Sequence, residues 1–268
     1  MKPSGIGGQA VIEGIMMRNK DMYSVAVRKP DGEIEVHLGT YQSIVKSKMI
    51  REIPLVRGVI NFIDSMILGM RTLTFSASFY EEEEEPTKAE VVLDKVTKGN
   101  SEKILTGLTV AFSIVMAVAI FMILPYFLTN FLRDYVVSNT LLAIIEGVVR
   151  VGVFLIYILL ISRMNDIQRV FMYHGAEHKC INCIEHGMEL NVENVMKSSK
   201  HHKRCGTSFL FIVMFVSIIF FIFIRVTSPV LRVVIRLLLI PVIAGVSYEL
   251  IKFAGNSDSK FVQIISYP

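Results

Sequence analysis

Four long apolar stretches lie after residue 103 of the chain. The first, 104–132, contains no charged residue, and about 20 apolar residues in a helix are enough to cross a bilayer. The other three stretches are 140–162, 206–224 and 230–253. We therefore predict four transmembrane helices, with Pro125 bending the first of them.

The second of these stretches is interrupted by Glu146 and Arg150. Four residues apart on a helix, the two side chains face the same side and can pair inside a bundle. Ionisable groups within a membrane are costly and often mark the path of an ion or a solute. A structural ion pair and a functional pair therefore remain as alternatives.

A different periodicity marks the N-terminal region. Residues 22–38 alternate apolar and polar positions on both sides of Lys29-Pro30-Asp31-Gly32, and this turn sequence predicts a β-hairpin. Residues 5–17 are rich in glycine, which permits tight turns or a close approach of the backbone to another group. We predict that residues 1–54 form a small β-rich unit.

Residues 55–80 predict an amphipathic helix. Arg57, Asp64 and Arg71 are spaced seven residues apart, so they share one face and leave a broad apolar face. We expect this helix to lie in the membrane interface, and packing against the transmembrane bundle is the alternative. Residues 81–103 begin with five glutamates and predict a solvated acidic and polar linker.

The composition favours a membrane protein. Hydrophobic residues make up 52% of the chain and the mean hydropathy is +0.52, both high for a soluble domain. The net charge of +4 gives no reason to expect nucleic-acid binding. Because the composition favours a membrane protein, membrane lipids are the expected partners. The predicted fold is a mainly α-helical integral membrane protein with about four transmembrane helices, a β-rich N-terminal unit and an interfacial amphipathic helix.

Lysine and arginine predict the orientation in the membrane. Seven of them lie in residues 163–205, between the second and third spans, and the shorter loops on the other side carry Arg133, Arg225, Arg232 and Arg236. The positive-inside rule therefore places the 163–205 loop in the cytoplasm. Because four spans leave both ends of the chain on one side, the N-terminal unit and the tail 254–268 are predicted to be cytoplasmic as well.

Residues with metal and acid–base chemistry are concentrated between positions 173 and 209. This stretch contains five of the six histidines and all three cysteines. His174, Glu177 and His178 have the order H-x-x-E-H, in which a helix directs both imidazoles to one point with the glutamate beside them. We expect the two histidines to bind Zn²⁺ or another divalent metal, with Glu177 as general base and Cys205 or His202 as a third ligand.

Several segments together resemble the YqhQ-like family of bacterial integral membrane proteins. They are GGQAVIEGIMMR (7–18), VAVRKPDGEI (25–34), FMYHGAEHK (171–179), HKRCGTSFL (202–210) and PVIAGVSYELIK (241–252). The family is a domain of unknown function whose members are labelled predicted metal-dependent enzymes. The resemblance implies a place in the bacterial inner membrane. The positions that it carries over are Gly7, Gly8, Gln9, Glu13, Gly14, Met17, Arg18, His174, Glu177, His178, His202, Cys205 and Glu249.

These observations leave three hypotheses for function. The first is a metal-dependent hydrolase, in which Cys205, His202, Glu193 or Glu249 completes the metal shell and Glu13 fixes a histidine tautomer from outside it. The second is a homo-oligomeric channel or transporter for ions or small solutes, with Glu146, Arg150 and Glu249 lining the path. The third is a membrane scaffold in which the metal is a structural clip. No residue pattern specifies a substrate.

Overall fold

The computed structural model describes residues 4–80, 101–202, 205–224, 226 and 228–255. The predicted linker falls almost entirely outside these ranges, as do Lys203, Arg204, Arg225 and most of the predicted tail. The chain divides into two compact units. One comprises Met1–Tyr80, Leu159–Ile224 and Val234–Pro268, and the other comprises Glu81–Ile158 and Arg225–Val233.

The first unit begins with a four-stranded antiparallel sheet. Its strands are β1 (Ile6–Val11), β2 (Gly14–Asn19), β3 (Met22–Arg28) and β4 (Ile34–Thr40), and they are ordered β1-β2-β3-β4. The register of β3 and β4 pairs Arg28 with Ile34. The predicted hairpin is therefore confirmed, because the turn residues between these strands close it.

Helices make up the remaining secondary structure of the described residues. They are α1 (Lys48–Glu52), α2 (Val56–Ala77), α3 (Ser101–Val118), a π-helical turn (Ala119–Ile123), α4 (Leu124–Asn130), α5 (Asn139–Ile161), α6 (Asn165–Glu185), α7 (Val192–Lys197), α8 (Gly206–Phe223) and α9 (Pro229–Gly255). Helices α2, α6 and α8 belong to the first unit, and α3 and α4 belong to the second.

The core of the first unit lies between one face of the sheet and α2. Val11, Val25 and Val27 are fully buried there and pack with Leu68 of α2. Arg57, Asp64 and Arg71 share a helix face as the spacing predicts, but that face is not wholly solvated. Asp64 is only 2% exposed. Its carboxylate accepts hydrogen bonds from Tyr41 Oη and the Ile44 backbone N–H, both at 3.1 Å, and these bonds offset the free-energy cost of burying it.

Two glycines let α2 approach α9 closely. A Cβ on Gly58 would lie 3.0 Å from the Gly245 Cα, and a Cβ on Gly245 would lie 2.8 Å from the Leu55 carbonyl oxygen. Small residues at such a crossing allow two backbones to pack directly. Met66 and Met70 of α2 stay exposed, so contact of this helix with lipid remains a prediction.

A π-helical turn precedes α4 close to Pro125, where the sequence predicts a bend. Proline has no N–H to donate to the carbonyl four residues earlier, which is that of Phe121. Arg150 Nε donates to this carbonyl at 3.2 Å, and Arg150 also pairs with Glu146 Oε1 at 3.0 Å. Within the second unit, these two charges therefore support an interrupted helix.

Among the described residues, three helices are long and apolar enough to cross a membrane. They are Ile104–Asn130, Asn139–Ile161 and Val230–Phe253. The fourth predicted span is observed as the apolar helix Ser208–Phe223, which falls in the shorter class of 10–17 residues. The prediction of four spans is thus confirmed for three of them by length and composition, and membrane insertion and orientation stay predictions.

Candidate metal site

Helix α6 carries the H-x-x-E-H sequence, and the segment after it folds back onto the helix. Asn182 Nδ2 donates to the carbonyls of Ser199 at 2.7 Å and His201 at 2.9 Å. Lys179 Nζ donates to the Met196 carbonyl at 2.7 Å. These bonds fix the returning segment beside α6, so that Cys205, just before α8, lies next to the histidines.

His174, His178 and Cys205 form a compact group of metal-binding atoms. His174 Nε2 is 3.2 Å from Cys205 Sγ, and the ring centroids of His174 and His178 are 4.3 Å apart. The potential ligand atoms of the three side chains all lie within 4.8 Å of one another. Tetrahedral zinc with Zn–N of about 2.0–2.1 Å and Zn–S of about 2.3 Å separates its ligands by about 3.3–3.6 Å. Separations of up to 4.8 Å would have to shorten by as much as about 1.2–1.5 Å to reach that geometry.

Both histidines have their second ring nitrogen close to an oxygen from outside the group. His178 Nδ1 is 2.7 Å from the Lys200 carbonyl oxygen, which can only accept, so Nδ1 carries a proton and the Nε2 lone pair of the neutral ring faces the group. His174 Nδ1 lies 3.2 Å from Glu177 Oε2. Partners of this kind orient histidine ligands in metalloproteins.

Glu177 is the most unusual residue of the site. It is 3% exposed, and its Oε2 lies 3.2 Å from His174 Nδ1 and 3.7 Å from His178 Nε2. That oxygen nevertheless has no hydrogen-bond partner among the residues that the structure describes. A buried carboxylate oxygen is costly to leave unpaired, so a ligand or water held in the site would complete its bonding.

A glycine in β1 makes room for this carboxylate. A Cβ on Gly8 would lie 2.6 Å from both Cγ and Oε1 of Glu177. A Cβ on the neighbouring Gly7 would meet nothing within 4 Å. The glycine-rich N-terminal sequence therefore permits a close approach of the backbone to the site at Gly8.

The charges of the group favour bound protons when no metal is present. The contact with the Cys205 sulfur, followed by that with the Glu177 carboxylate, raises the pKa of His174 to about 10. Burial lowers the pKa of His178, but the Cys205 sulfur and the Lys200 carbonyl outweigh burial and raise it. A metal ion would have to displace these protons, so its affinity must rise with pH.

The group opens into a cavity of about 270 Å³. The cavity is lined by the two histidines, Glu177, His202, Cys205 and the glycines at the start of β1. Helix α8 begins at Gly206, which also lines the cavity. The N-terminal end of a helix carries partial positive charge, so this wall favours an anionic group.

Two other predicted residues lie near the site but have different partners. His202 Nε2 is 3.3 Å from Glu185 Oε2, and its ring centroid is 5.8 Å from that of His178.

Glu13 pairs with Arg169 at 2.6 Å and accepts a hydrogen bond from Tyr173 Oη at 3.1 Å. The interactions of Glu13 thus attach the β1–β2 turn to α6 and do not fix a histidine tautomer.

The remaining predicted residues lie apart from the group. Glu193 forms an exposed pair with Lys197 on α7. Glu249 of α9 pairs with Arg57 of α2 at 2.6 Å. Glu146 pairs with Arg150 in the second unit. The structure therefore places Cys205 with the two histidines, and it places Glu193 and Glu249 in other ion pairs.

Two contributors to the site were absent from the sequence-based predictions. Glu185 accepts the Ser4 backbone N–H at 2.9 Å besides contacting His202. It follows His178 by seven residues and therefore shares its helix face, so the spacing could have indicated it. The Lys200 carbonyl acts through the backbone, and no side-chain pattern could have revealed its role.

Comparisons with known proteins identify relatives of this chain. Residues 53–268 match the family model described as "Protein of unknown function (DUF1385)". The chain is 33% identical over 269 aligned positions to the uncharacterized protein YqhQ of Bacillus subtilis (strain 168), covering 99% of this chain and 84% of that protein. No solved structure matches this chain.

Proposed function

This chain belongs to the DUF1385 family, whose function is not established, and we propose that it is a metal-dependent hydrolase of the bacterial inner membrane with its site facing the cytoplasm. The observation that carries the proposal is Glu177 Oε2, which is buried beside three converging metal-binding side chains, lies 3.2 Å from His174 Nδ1 and forms no hydrogen bond among the described residues. Buried polar atoms of a purely structural site are expected to be hydrogen-bonded.

The residues present suit a zinc ion. His174 and His178 offer imidazole nitrogens and Cys205 offers sulfur, a donor set typical of Zn²⁺. Three protein ligands leave one position of a tetrahedral ion for water or substrate, as catalytic zinc sites do. When bound, the ion would supply Lewis-acid polarisation of a carbonyl or phosphoryl oxygen and lower the pKa of a water to about 7.

Glu177 is suited to move a proton in this site. Its Oε2 is buried without a hydrogen bond among the described residues, and its side chain lines the cavity. We assign it to accept a proton from the attacking water and to return that proton to the leaving group. Gly8 leaves room for the carboxylate, and the N-terminal end of α8 favours the negative charge that develops on the substrate.

A structural metal clip is the second candidate, and the position of His202 favours it. The His202 ring lies 5.8 Å from that of His178, so a shift of this ring would bring in a fourth protein ligand and close the site. The channel hypothesis has less support, because Glu146 and Arg150 pair with each other and with a helix carbonyl.

Zinc content of the purified full-length protein tests the proposal. We expect about one zinc per chain in the wild type, and loss of most of it in His178→Ala and Cys205→Ser, because a tetrahedral catalytic site uses three protein ligands. His186→Ala is the matched control, since His186 Nδ1 contacts the Asn182 carbonyl at 2.7 Å and should not affect zinc. Equal zinc in all four proteins would contradict the assignment.

His202→Ala separates the two candidates. If His202 is a fourth ligand, zinc binding should weaken as it does for His178→Ala. If the site is catalytic with three ligands, His202→Ala should retain the metal, because its partner is Glu185.

A further inference from the structure

Two larger cavities adjoin the metal cavity. One has a volume of about 910 Å³ and shares Gly8, Cys205 and Gly206 with the metal cavity. The other has a volume of about 450 Å³ and shares Gly5, Gly7 and Gly8 with it. Gly8 therefore lies where all three meet, beside Glu177. Ligand pockets have volumes of about 300–1,000 Å³, so both neighbours are large enough to hold parts of a substrate.

The larger cavity is mainly apolar and open along α2. Met66, Met70, Phe209 and Leu210 are among the residues that line it. Met66 and Met70 are 55% and 57% exposed, so the cavity has an apolar opening. It also reaches Ile251 near the end of the candidate span Val230–Phe253. This is the depth at which lipid chains meet headgroups in an inserted helix.

The smaller cavity is basic. Arg18 and Lys20 line it with polar residues that include Asn61 and Ser65. Arg18 Nε donates to the Lys20 carbonyl at 2.7 Å and its guanidinium lies over the Tyr41 ring. Within the described part of the chain, no carboxylate forms an ion pair with either residue. Two cations that form no ion pair among the described residues favour an anionic ligand in this cavity.

From these three cavities we infer that the substrate is an acidic phospholipid. The acyl chain occupies the apolar cavity, and the phosphate lies against Arg18 and Lys20. The carboxylic ester between them falls near Gly8, beside the metal group. This assignment names the substrate class of the proposed hydrolase and rests on that function for the reaction, although lipid binding itself requires no metal.

The reaction is an ester hydrolysis. The oxygen of water bonds to the acyl carbon, and the ester C–O bond breaks. Glu177 takes one proton from the water and delivers it to the departing alkoxide, so the products are a fatty acid and a lysophospholipid.

Lipid retention by the full-length protein tests the binding step. The purified protein is equilibrated in detergent with equal amounts of phosphatidylglycerol and phosphatidylcholine, and the bound lipids are counted by native mass spectrometry. We expect phosphatidylglycerol to be favoured roughly 10-fold, because basic residues attract acidic headgroups. Arg18→Gln/Lys20→Gln should reduce this preference to about twofold or less, since both cations are removed.

Matched variants make the result specific. Lys48→Gln/Arg51→Gln removes the same charge from the exposed helix α1 and should keep the preference. Ser65→Trp places a ring where the apolar and basic cavities meet and should reduce total lipid retention, whereas Ile63→Trp, on the same helix outside both cavities, should not. An equal loss in the two double variants, or no preference in the wild type, would overturn the inference.

His178→Ala keeps the two proposals distinguishable. It should lose zinc and fatty-acid release but retain phosphatidylglycerol. If the wild type binds zinc but shows no preference for phosphatidylglycerol, the lipid inference fails and the hydrolase proposal stands. If it binds both zinc and phosphatidylglycerol but releases no fatty acid, phosphatidylglycerol is not the substrate and the inference fails at the reaction step.

Discussion

The Glu146–Arg150 pair and the His174/His178/Cys205 group both bring ionisable side chains together in largely buried positions, but their bonding differs. Arg150 donates to Glu146 and to the Phe121 carbonyl, four residues before Pro125. Glu177, beside the histidines, keeps a buried oxygen without a hydrogen bond among the described residues. The first arrangement supports a helix that is interrupted by a π-helical turn, and the second is suited to bind something from outside the chain.

The two places show how a structural ion pair and a candidate ligand site can be distinguished. Charge and burial are common to both places, so neither property identifies a functional site by itself. A cavity and a buried acceptor oxygen without a hydrogen bond among the described residues are found at the histidine group. Four variants test this distinction.

The largest effect is expected for Glu177→Gln. A general base contributes about 10²–10⁴-fold to a rate, and glutamine cannot accept the proton. Hydrolysis of p-nitrophenyl butyrate by the full-length protein should fall by about that factor, while zinc content stays at the wild-type level. Glu193→Gln, which changes an exposed pair on α7, is the control. Equal rates in the two variants would remove Glu177 from the mechanism.

Arg150→Met tests the structural role of the Glu146–Arg150 ion pair. It leaves Glu146 buried without its cation, and removing one partner of a buried ion pair costs about 3–5 kcal/mol of folding free energy. Unfolding in mixed micelles with increasing SDS measures the loss, and zinc content should not change. The double variant Glu146→Leu/Arg150→Met should recover most of the stability. Unchanged stability in Arg150→Met would remove the structural role assigned to the pair.

Gly8→Ala should disturb the site without touching a metal ligand. The new methyl group would lie 2.6 Å from Glu177 Oε1, so the carboxylate must move, and a displacement of about 1 Å can cost 10²-fold in rate. We expect hydrolysis to fall about 10- to 100-fold with zinc retained. Gly7→Ala, which meets open space, should have little effect. A normal rate in Gly8→Ala would mean that Glu177 is not held by this contact.

Glu13→Gln should have the smallest effect, because Arg169 is partly exposed and such pairs contribute about 1 kcal/mol or less. The Arg169 hydrogen bond lowers the pKa of Glu13 from its ordinary value of 4.5. The ionised Glu13 carboxylate therefore contributes its full stabilisation of the fold above that value, and this contribution is lost as pH falls through the lowered pKa. The thermal unfolding temperature of Glu13→Gln should be below that of the wild type at pH 7, and the two temperatures should converge in acid. A constant difference across this range would contradict the pairing.

Sequence periodicity predicted much of the fold because single elements carry their own signal. The 22–38 alternation gave the hairpin, and the uncharged 104–132 stretch gave the first candidate span. The burial of Asp64 could not be predicted from the sequence pattern, because it depends on hydrogen bonds from Tyr41 and Ile44, which lie outside its helix. The same limit applies to Arg150, whose carbonyl partner lies on another helix.

The candidate site was predictable where spacing on one helix decides geometry. The i, i+4 spacing of His174 and His178 placed their rings together. The choice between Cys205 and His202 could not be made, because it depends on how the segment after α6 returns. The partner of Glu13 was also unpredictable, since Arg169 is 156 residues away in the chain.

X-ray absorption at the zinc edge of the purified full-length protein measures the identity and distance of each zinc ligand. We expect two nitrogen ligands at about 2.0–2.1 Å, one sulfur at about 2.3 Å and one further light atom from water. The sulfur contribution should disappear in Cys205→Ser and persist in Cys180→Ser. A protein that binds no zinc, or a zinc spectrum without sulfur, would contradict the proposed metal site.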